Sequence, residues 1–224
     1  MSAQTSGIHL QKSVGQNYAI HIPHRHTKGE KVPLILLLHW GGRKYRWIGR
    51  DMLELVGLPA LSELQAIIIA PDRKRRHWAN EKALNDLIRL LDFLEHHYNL
   101  DSNKRLVVGY SIGGVGVWYI GSEAPSMFSC GISIAAPIPD HILDREWVFP
   151  IYSLHGRHDE AFPHDLNLSK AEILKDKGAP LEFETVENAM HTDIRNYAES
   201  FANARNWVEK FWGHQKEWSA NFDL

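Results

Sequence analysis

Five short, continuous runs of mainly apolar residues constrain the fold of this chain more than any other feature of its sequence. They are Val32–Leu38, Ala66–Ala70, Arg105–Gly109, Cys130–Ala136 and Pro150–His155. A strand that is buried on both faces has this continuous pattern. The strands of parallel sheets are buried in this way because helices cover both faces of the sheet. We therefore predict a central, mostly parallel sheet.

Amphipathic segments lie between the apolar runs. The clearest begins after Asn80, which is a predicted N-cap, and its apolar residues recur at helical spacing: Leu84, Leu87, Ile88, Leu91, Leu94 and Tyr98. A second runs from about residue 194 to 211, with one stripe formed by Tyr197, Phe201, Ala204, Trp207, Val208 and Phe211. Strands that alternate with helices predict right-handed crossovers and a doubly wound α/β fold with helices on both faces.

Two further segments alternate apolar and polar residues, as edge strands do. These are Tyr18–Ile22 near the start and Leu181–Val186 towards the end. The 224 residues contain no internal repeat, no linker and no break in composition. We predict one domain over residues 1–224, with residues 1–15 as a peripheral N-terminal segment.

Composition excludes several classes of protein. The 25 basic and 27 acidic residues give a net charge of −2, which argues against a protein that coats nucleic acid. Cys130 is the only cysteine, so an internal disulfide and a multi-cysteine zinc site are excluded. No apolar run approaches the ~20 residues that span a bilayer, and the first residues do not resemble a secretion signal. We expect a cytoplasmic protein with no membrane partner.

A candidate nucleophile lies between a predicted strand and a predicted helix. The segment Gly109-Tyr110-Ser111-Ile112-Gly113 has the pattern GxSxG, directly after the apolar run that ends at Gly109. A nucleophilic serine needs a tight, strained turn that raises its Oγ above the sheet, and glycines on both sides leave room for that turn. The alternative is a phosphate-binding turn, but no lysine of a GxxxxGK[ST] loop follows.

The chain resembles the α/β-hydrolase superfamily, and within it the small cap-less serine esterases of the carboxylesterase, phospholipase and predicted-peptidase groups. The dienelactone hydrolases are more distant in this comparison. The resemblance covers about residues 16–212 and rests on His39-Trp40-Gly41-Gly42, on residues 98–114, on residues 154–163 and on Asn188-Ala189-Met190-His191. It implies the α/β-hydrolase fold without a cap domain.

The resemblance also implies a catalytic triad in the chain order Ser, acid, His. Ser111 is then the nucleophile, Asp159 the acid after the run that ends at His155, and His191 the base after Leu181–Val186. Glu160 is the neighbouring alternative to Asp159, and Asp140 and Asp144 are weaker ones. The superfamily usually has glycine before the histidine, where this chain has Met190.

The same resemblance predicts the oxyanion hole. Its backbone N–H donors are expected at Ile112, directly after the nucleophile, and in the loop after Val32–Leu38. In that loop the donor falls on Gly41 or, less directly, on Trp40, which stands where the family has its first glycine. A turn without a catalytic role is the alternative for these loop residues.

The substrate pocket is expected at the carboxyl ends of the strands. Two loops there are basic, residues 43–50 and 73–78, so one hypothesis is an electropositive mouth that prefers anionic esters; a solvated surface is the alternative. Only about a dozen residues separate Ala136 from Phe149, too few for a cap, so the pocket should be shallow and open. The candidate substrate-binding residues are Trp40, Arg43, Arg46, Arg76, Trp78, Tyr110 and Trp147.

Together these patterns predict a serine hydrolase that cleaves small or soluble carboxylic esters through an acyl-enzyme, with no cofactor and no metal. A peptidase, amidase or thioesterase with the same triad is one alternative, and a hydrolase-shaped binding protein is another. A metalloprotein is a third, because His21, His24 and His26, and also His155 and His158, have ligand-like spacing. The sequence predicts no oligomeric state.

Overall fold

The computed structural model describes residues 6–24, 29–42 and 45–218, except for the side chains of residues 198, 199 and 214–218. Its strands form one eight-stranded sheet in the order β1-β2-β4-β3-β5-β6-β7-β8. The bounds are β1 Gly7–Ser13, β2 Gln16–Ile22, β3 Val32–Leu38, β4 Ile67–Pro71, β5 Leu100–Tyr110, β6 Cys130–Ile134, β7 Ile151–Gly156 and β8 Leu181–Val186.

The direction of the strands confirms a mostly parallel sheet. Strands β3 to β8 pair in parallel, with Leu38 opposite Gly109 and Gly109 opposite Ser133, while β1 and β2 are antiparallel. The alternating segment Leu181–Val186 forms one edge, as predicted. The other edge prediction was wrong, because β2 lies between β1 and β4 and residues 7–13 form the edge strand. Half of the predicted peripheral segment 1–15 therefore belongs to the sheet.

Helices connect the strands. They are α1 Ile48–Met52, α2 Leu58–Leu61, α3 Glu81–Glu95, α4 Ile112–Glu123, α5 His164–Asp176 and α6 Ala198–Trp218. A π-helical turn, Leu53–Gly57, joins α1 to α2, and shorter 3-10 turns cover Ser62–Leu64, Pro125–Met127, Asp140–Ile142 and Ile194–Tyr197. The predicted cap of α3 is present, because the Ala83 N–H donates to Asn80 Oδ1 at 2.9 Å. Tyr98 lies beyond the end of that helix.

Two apolar cores, one on each face of the sheet, hold these helices. The first contains buried residues of α3, α4 and α5, such as Leu87, Trp118 and Leu174, against Leu34 and Leu36. The second contains residues of α1, α2 and α6, such as Met52, Leu61 and Phe201. Because alternate side chains of a strand point to opposite faces, the continuous apolar runs supply both cores.

The connection from β6 to β7 contains little besides the 3-10 turn Asp140–Ile142, so in the part of the chain that the structure describes no cap domain is inserted there. The side chains of Ile138 and Ile142 are buried in the first core, which keeps this segment close to the sheet. The fold is thus an α/β-hydrolase fold with helices on both faces. Within the described ranges, no helix is long and apolar enough to cross a bilayer.

Candidate active site

Ser111 occupies a strained turn between β5 and α4. Its φ of 55° and ψ of −119° lie outside the ordinary regions for a residue with a side chain. A Cβ added to Gly109 would lie 2.1 Å from Gly113 O, and one added to Gly113 would lie 1.9 Å from Leu38 O. Both glycines of the GxSxG pattern are therefore required, the first by the turn itself and the second by the end of β3.

The turn brings Ser111 to the imidazole of His191, 80 residues later. Ser111 Oγ lies 3.0 Å from His191 Nε2, and His191 Nδ1 lies 3.0 Å from Asp159 Oδ2. A carboxylate only accepts hydrogen bonds, so Nδ1 donates to Asp159. In the neutral ring Nε2 then has a free lone pair and accepts from the serine hydroxyl.

Asp159 is buried and its carboxylate is held from two sides. Oδ1 accepts from the N–H groups of Ala161 and Phe162 at 2.9 and 2.7 Å, while Oδ2 faces His191. Burial acts to raise the pKa of Asp159, but the hydrogen bonds from His191 and the Phe162 N–H outweigh it and the pKa is lowered. The carboxylate therefore stays ionised and holds His191 in one orientation.

Two side chains hold the backbone of His191. Its N–H donates to Glu160 Oε2 at 3.0 Å, and its carbonyl accepts from the Tyr110 hydroxyl at 2.5 Å. The structure thus separates Asp159 from its sequence neighbour Glu160, because one contacts the ring and the other the main chain. The φ of Met190 is not positive, so this position does not require the glycine that the superfamily usually has.

A buried histidine supports the loop that carries Asp159. His155 is fully buried, its Nε2 donates to Phe162 O at 2.8 Å, and the same nitrogen lies 3.5 Å from Asp159 Oδ2. Burial lowers the pKa of His155, so the ring stays neutral. The Phe162 ring in turn packs edge-on against the His191 ring, with centroids 5.2 Å apart. In the sequence analysis His155 belongs to the family motif over residues 154–163 and is a possible metal ligand, and its support of Asp159 was not predicted.

Two of the residues with predicted oxyanion donors, Ile112 and Gly41, are close together. Ile112 is the first residue of α4, so its N–H has no acceptor within the helix, and its side chain lies 3.6 Å from the position of a Cβ on Gly41. His39 Nδ1 donates to Trp40 O at 2.7 Å. Because the two ends of a trans peptide point in opposite directions, the Gly41 N–H points away from the His39 ring.

Three of the predicted substrate-binding aromatic residues are core residues, which corrects the prediction. Trp78 is 2% exposed and its indole N–H donates to His39 O at 2.9 Å. Trp147 packs against Trp118 and Phe149 on the first core. Tyr110 is also buried, and its hydroxyl is used by His191. A tryptophan in a loop between elements can still be buried when neighbouring elements cover it, and this is why position along the chain was misleading.

Of the three arginines predicted to bind substrate, the structure describes Arg46 and Arg76. Arg46 is exposed with its guanidinium 4.9 Å from the centroid of the Trp47 ring, and Arg76 is exposed on the loop after β4. Arg43 lies outside the described residues. Trp40 is half-buried, with its ring edge-on to Tyr110 at 6.4 Å, and is the one predicted aromatic residue that remains beside the site.

Two residues of the predicted basic surface, Lys74 and Arg75, pair with a buried carboxylate that the sequence analysis missed. Asp86 on α3 is 3% exposed and accepts from Lys74 at 3.1 Å, from Arg75 at 3.0 Å and from Arg89. Arg50, in the other basic loop, pairs with Glu54 at 2.8 Å. The only signal in the sequence was that Asp86, a charged residue, falls on the apolar face of α3.

The chain segment that follows His191 forms one wall of a cleft. Its volume is about 720 Å³, and it lies between residues 54–60, from the turn that joins α1 to α2, and residues 192–201. Val56, Pro59, Ala60 and Phe201 give it an apolar wall, and Asp193 and Arg195 give it polar edges. This cleft could not be predicted from the sequence, because its two walls are more than a hundred residues apart.

No group of three His, Cys, Asp or Glu side chains that could hold a metal is found among the residues that the structure describes. His26, one of the ligands of the metalloprotein alternative, lies outside them. His155 is committed to Phe162 and Asp159 instead.

Comparison with known proteins identifies relatives of this chain. A sequence model of the dienelactone hydrolase family matches residues 62–222, which include Ser111, Asp159 and His191. A probable feruloyl esterase C of Aspergillus terreus is 25% identical over 183 residues, 75% of this chain and 67% of that protein. Feruloyl esterase C of Emericella nidulans is 31% identical over 106 residues, which are 45% of this chain and only 38% of that protein.

Solved structures share the fold. A ferulic acid esterase superposes with a TM-score of 0.70 at 17% identity, over 92% of this chain and 98% of that one. A thermostable esterase superposes with a TM-score of 0.69 at 19% identity, over 91% of this chain and 62% of that one. The superfamily resemblance is confirmed, although the matched family is the one that the sequence motifs had placed further away. The chain belongs to the dienelactone hydrolase family of α/β-hydrolases, and it is a hydrolase.

Proposed function

We propose that this protein hydrolyses carboxylic esters through an acyl-enzyme on Ser111. The observation that carries the proposal is the chain of two 3.0 Å contacts from Ser111 Oγ through the His191 ring to Asp159. A serine hydroxyl is a weak nucleophile until a base removes its proton, and a third group must hold that base in the correct tautomer. Each of these three roles has one residue here.

In the proposed first half-reaction, Ser111 Oγ attacks the ester carbonyl while its proton passes to His191 Nε2. The N–H groups of Ile112 and Gly41, with Trp40 as the second choice in that loop, are the proposed donors to the oxyanion. The proton then passes from His191 to the departing alkoxide, and the alcohol leaves. Asp159 accepts from Nδ1 throughout and stabilises the imidazolium.

The second half-reaction repeats these steps with water. His191 takes a proton from water, the hydroxide attacks the acyl carbonyl, and the returning proton restores the Ser111 hydroxyl as the acid leaves. The overall balance is one ester and one water to one acid and one alcohol. No cofactor is needed for any step.

The proposed substrates are small or soluble esters whose larger group enters the cleft after His191. The apolar wall of that cleft fits an aromatic or short aliphatic group, and its polar edges fit an oxygen-bearing substituent. The feruloyl esterases among the relatives make a hydroxycinnamate ester the first to test.

The test begins with fluorophosphonate labelling, read by intact mass. We expect one adduct on the wild-type protein and none on Ser111→Ala, which should also lose about 10⁴-fold or more in kcat on methyl ferulate and methyl butyrate. An adduct on Ser111→Ala, or unchanged turnover, would refute the assignment. A matched anilide separates ester from amide cleavage, and faster turnover of the anilide would reassign the protein as an amidase.

A further inference from the structure

A second cavity lies at the same edge of the sheet, on the far side of His39 from the nucleophile. Its volume is about 350 Å³, and it is enclosed by the β1–β2 turn, the loop after β3 and the loop after β4. None of the triad residues Ser111, Asp159 and His191 lines this cavity. The residues that matter for its chemistry are Lys12, Gln16, Arg46, Asp72, Arg73 and Lys74.

Arg73 is the unusual member of this set. It is 9% exposed, yet its Nε and Nη1 atoms are buried without a hydrogen-bond partner. Within the described ranges no carboxylate pairs with it, although the next two residues, Lys74 and Arg75, both bind Asp86. Desolvation lowers the pKa of Arg73 for the same reason. A buried cation without a counter-charge is costly, and an anion in the cavity would remove that cost.

Gln16 gives the cavity a second unsatisfied group. Its side chain is almost fully buried, its Nε2 donates to Asp72 O at 3.1 Å, and its Oε1 has no hydrogen-bond partner. Arg73 and Gln16 both line the cavity, but their unpaired atoms are buried, so an oxyanion would reach the guanidinium fork, and a hydroxyl or N–H donor the amide oxygen, only after these side chains turn towards the ligand.

The charge of the lining also favours an anion. Four cationic side chains line the cavity against one carboxylate, Asp72. That carboxylate is already used, because Oδ2 accepts from the Trp47 N–H at 2.9 Å and Oδ1 from the Gly49 N–H at 3.0 Å. Lys74 is shared with Asp86, and the other three cations remain to balance a ligand of charge −2.

We propose that this cavity is a binding site for phosphate, with Arg73 as the guanidinium fork and Gln16 as the acceptor of the phosphate hydroxyl. The hydrogen phosphate dianion has oxygens for Arg73 and one O–H for Gln16. Acetate and sulfate lack that O–H at neutral pH. A phosphate monoester dianion also lacks that O–H. Comparison of inorganic phosphate with a phosphate monoester therefore decides whether the ligand is the free ion or a phosphorylated molecule.

The His39 ring connects this site to the loop with the proposed oxyanion donor. The Arg73 N–H donates to His39 Nε2 at 3.1 Å, and His39 Nδ1 donates to Trp40 O. Because the lining excludes the triad, we expect phosphate to bind without competing with a short neutral ester. This inference does not depend on the esterase proposal, since binding can be measured on the Ser111→Ala variant.

The experiment is calorimetric titration of Ser111→Ala with sodium phosphate, at an ionic strength held constant with NaCl. We expect a Kd on the order of 1 mM, at least tenfold weaker binding in Arg73→Gln and several-fold weaker binding in Arg73→Lys, which retains the charge without the fork. The matched control is Arg76→Gln, an exposed arginine of the same loop, in which the Kd should stay within twofold.

Two further arms make the assignment specific. Sulfate, acetate and glycerol phosphate should each bind at least about fivefold more weakly than phosphate, and tighter binding of glycerol phosphate would identify a phosphorylated molecule as the ligand. Gln16→Glu, on a different element, should also weaken phosphate binding at least tenfold, which keeps the proposal testable if Arg73→Gln does not fold. No heat up to about 20 mM phosphate, equal affinity in Arg73→Gln and Arg76→Gln, or competition with methyl butyrate in the wild-type protein would overturn it.

Discussion

Asp159 and Asp86 are both buried carboxylates whose pKa is lowered, yet their surroundings suit them for different tasks. In each case burial acts to raise the pKa and hydrogen-bonded partners outweigh it. For Asp159 those partners are an imidazole and two backbone N–H groups. For Asp86 they are Lys74 and Arg75, together with Arg89 as a third cation.

The difference lies in which partner can exchange a proton. Lysine and arginine keep their charge at neutral pH, so the network of Asp86 can only hold the loop after β4 against α3. An imidazole, by contrast, is a side chain that can accept and release a proton, and Nε2 of His191 lies 3.0 Å from Ser111 Oγ. Burial and a lowered pKa therefore do not identify a catalytic carboxylate; the identity of the partner does.

The largest effect is expected for Asp159→Asn. The amide Nδ2 would face His191 Nδ1 and favour the tautomer that protonates Nε2, which then cannot accept the Ser111 proton. We expect kcat to fall about 10⁴-fold, as for the corresponding change in serine proteases. Initial rates on p-nitrophenyl acetate measure it, with exposed Asp165→Asn as the control. More than a tenth of the wild-type kcat would contradict the proposed role.

Asp86→Asn should lower the stability of the protein and leave its turnover almost unchanged. It removes the charge that holds Lys74, Arg75 and Arg89, so we expect the free energy of unfolding to fall by about 2 kcal/mol, less than for a fully buried pair because the cations are partly exposed. Turnover should stay within about threefold. Urea unfolding and rates measure the two quantities, with exposed Asp92→Asn on the same helix as the control. A tenfold loss of kcat at unchanged stability would remove the distinction.

Tyr110→Phe tests the support around His191 rather than the triad itself. Loss of the hydroxyl that donates to His191 O should lower kcat about tenfold, worth roughly 1.4 kcal/mol, and leave KM unchanged because the hydroxyl does not face substrate. Tyr152→Phe is the matched control, since its hydroxyl contacts Glu184 on β8. Equal losses in the two variants would show that Tyr110 does not position His191.

The smallest effect concerns acid stability. The pKa of Asp86 is lower in the folded protein than the value of about 3.9 expected in the unfolded chain. Its contribution is therefore fully present above about pH 4, and it is lost as the pH falls through the folded pKa. Asp86→Asn should flatten this loss by up to about 1.4 kcal/mol per pH unit. Urea midpoints from about pH 6 to pH 2.5 measure the slope; identical slopes in Asp86→Asn and Asp92→Asn would contradict the assignment.

The parts of the site that could be predicted are those that contiguous residues define. The strand, the turn and the helix around Ser111 follow one another directly, so the GxSxG pattern in this position between a strand and a helix indicated a strained nucleophile turn. The family resemblance then assigned Asp159 and His191 from the order of motifs. Neither assignment needed knowledge of which side chains meet in space.

The parts that could not be predicted depend on contacts between distant segments. The support of His191 by Tyr110 and Glu160 joins residues 81 and 31 positions apart, and Trp78 is buried because α4 and the end of β3 cover it. The pairing of Lys74 and Arg75 with Asp86 likewise depends on how the loop after β4 packs against α3.

By itself the sequence determined the α/β architecture and the turn at Ser111, because apolar periodicity and glycine positions act over a few neighbouring residues. Only the tertiary structure decided which polar groups are paired. Asp86 pairs with three cations, whereas Arg73 has no carboxylate partner among the described residues. The reason is that burial and pairing depend on every element that packs around a side chain.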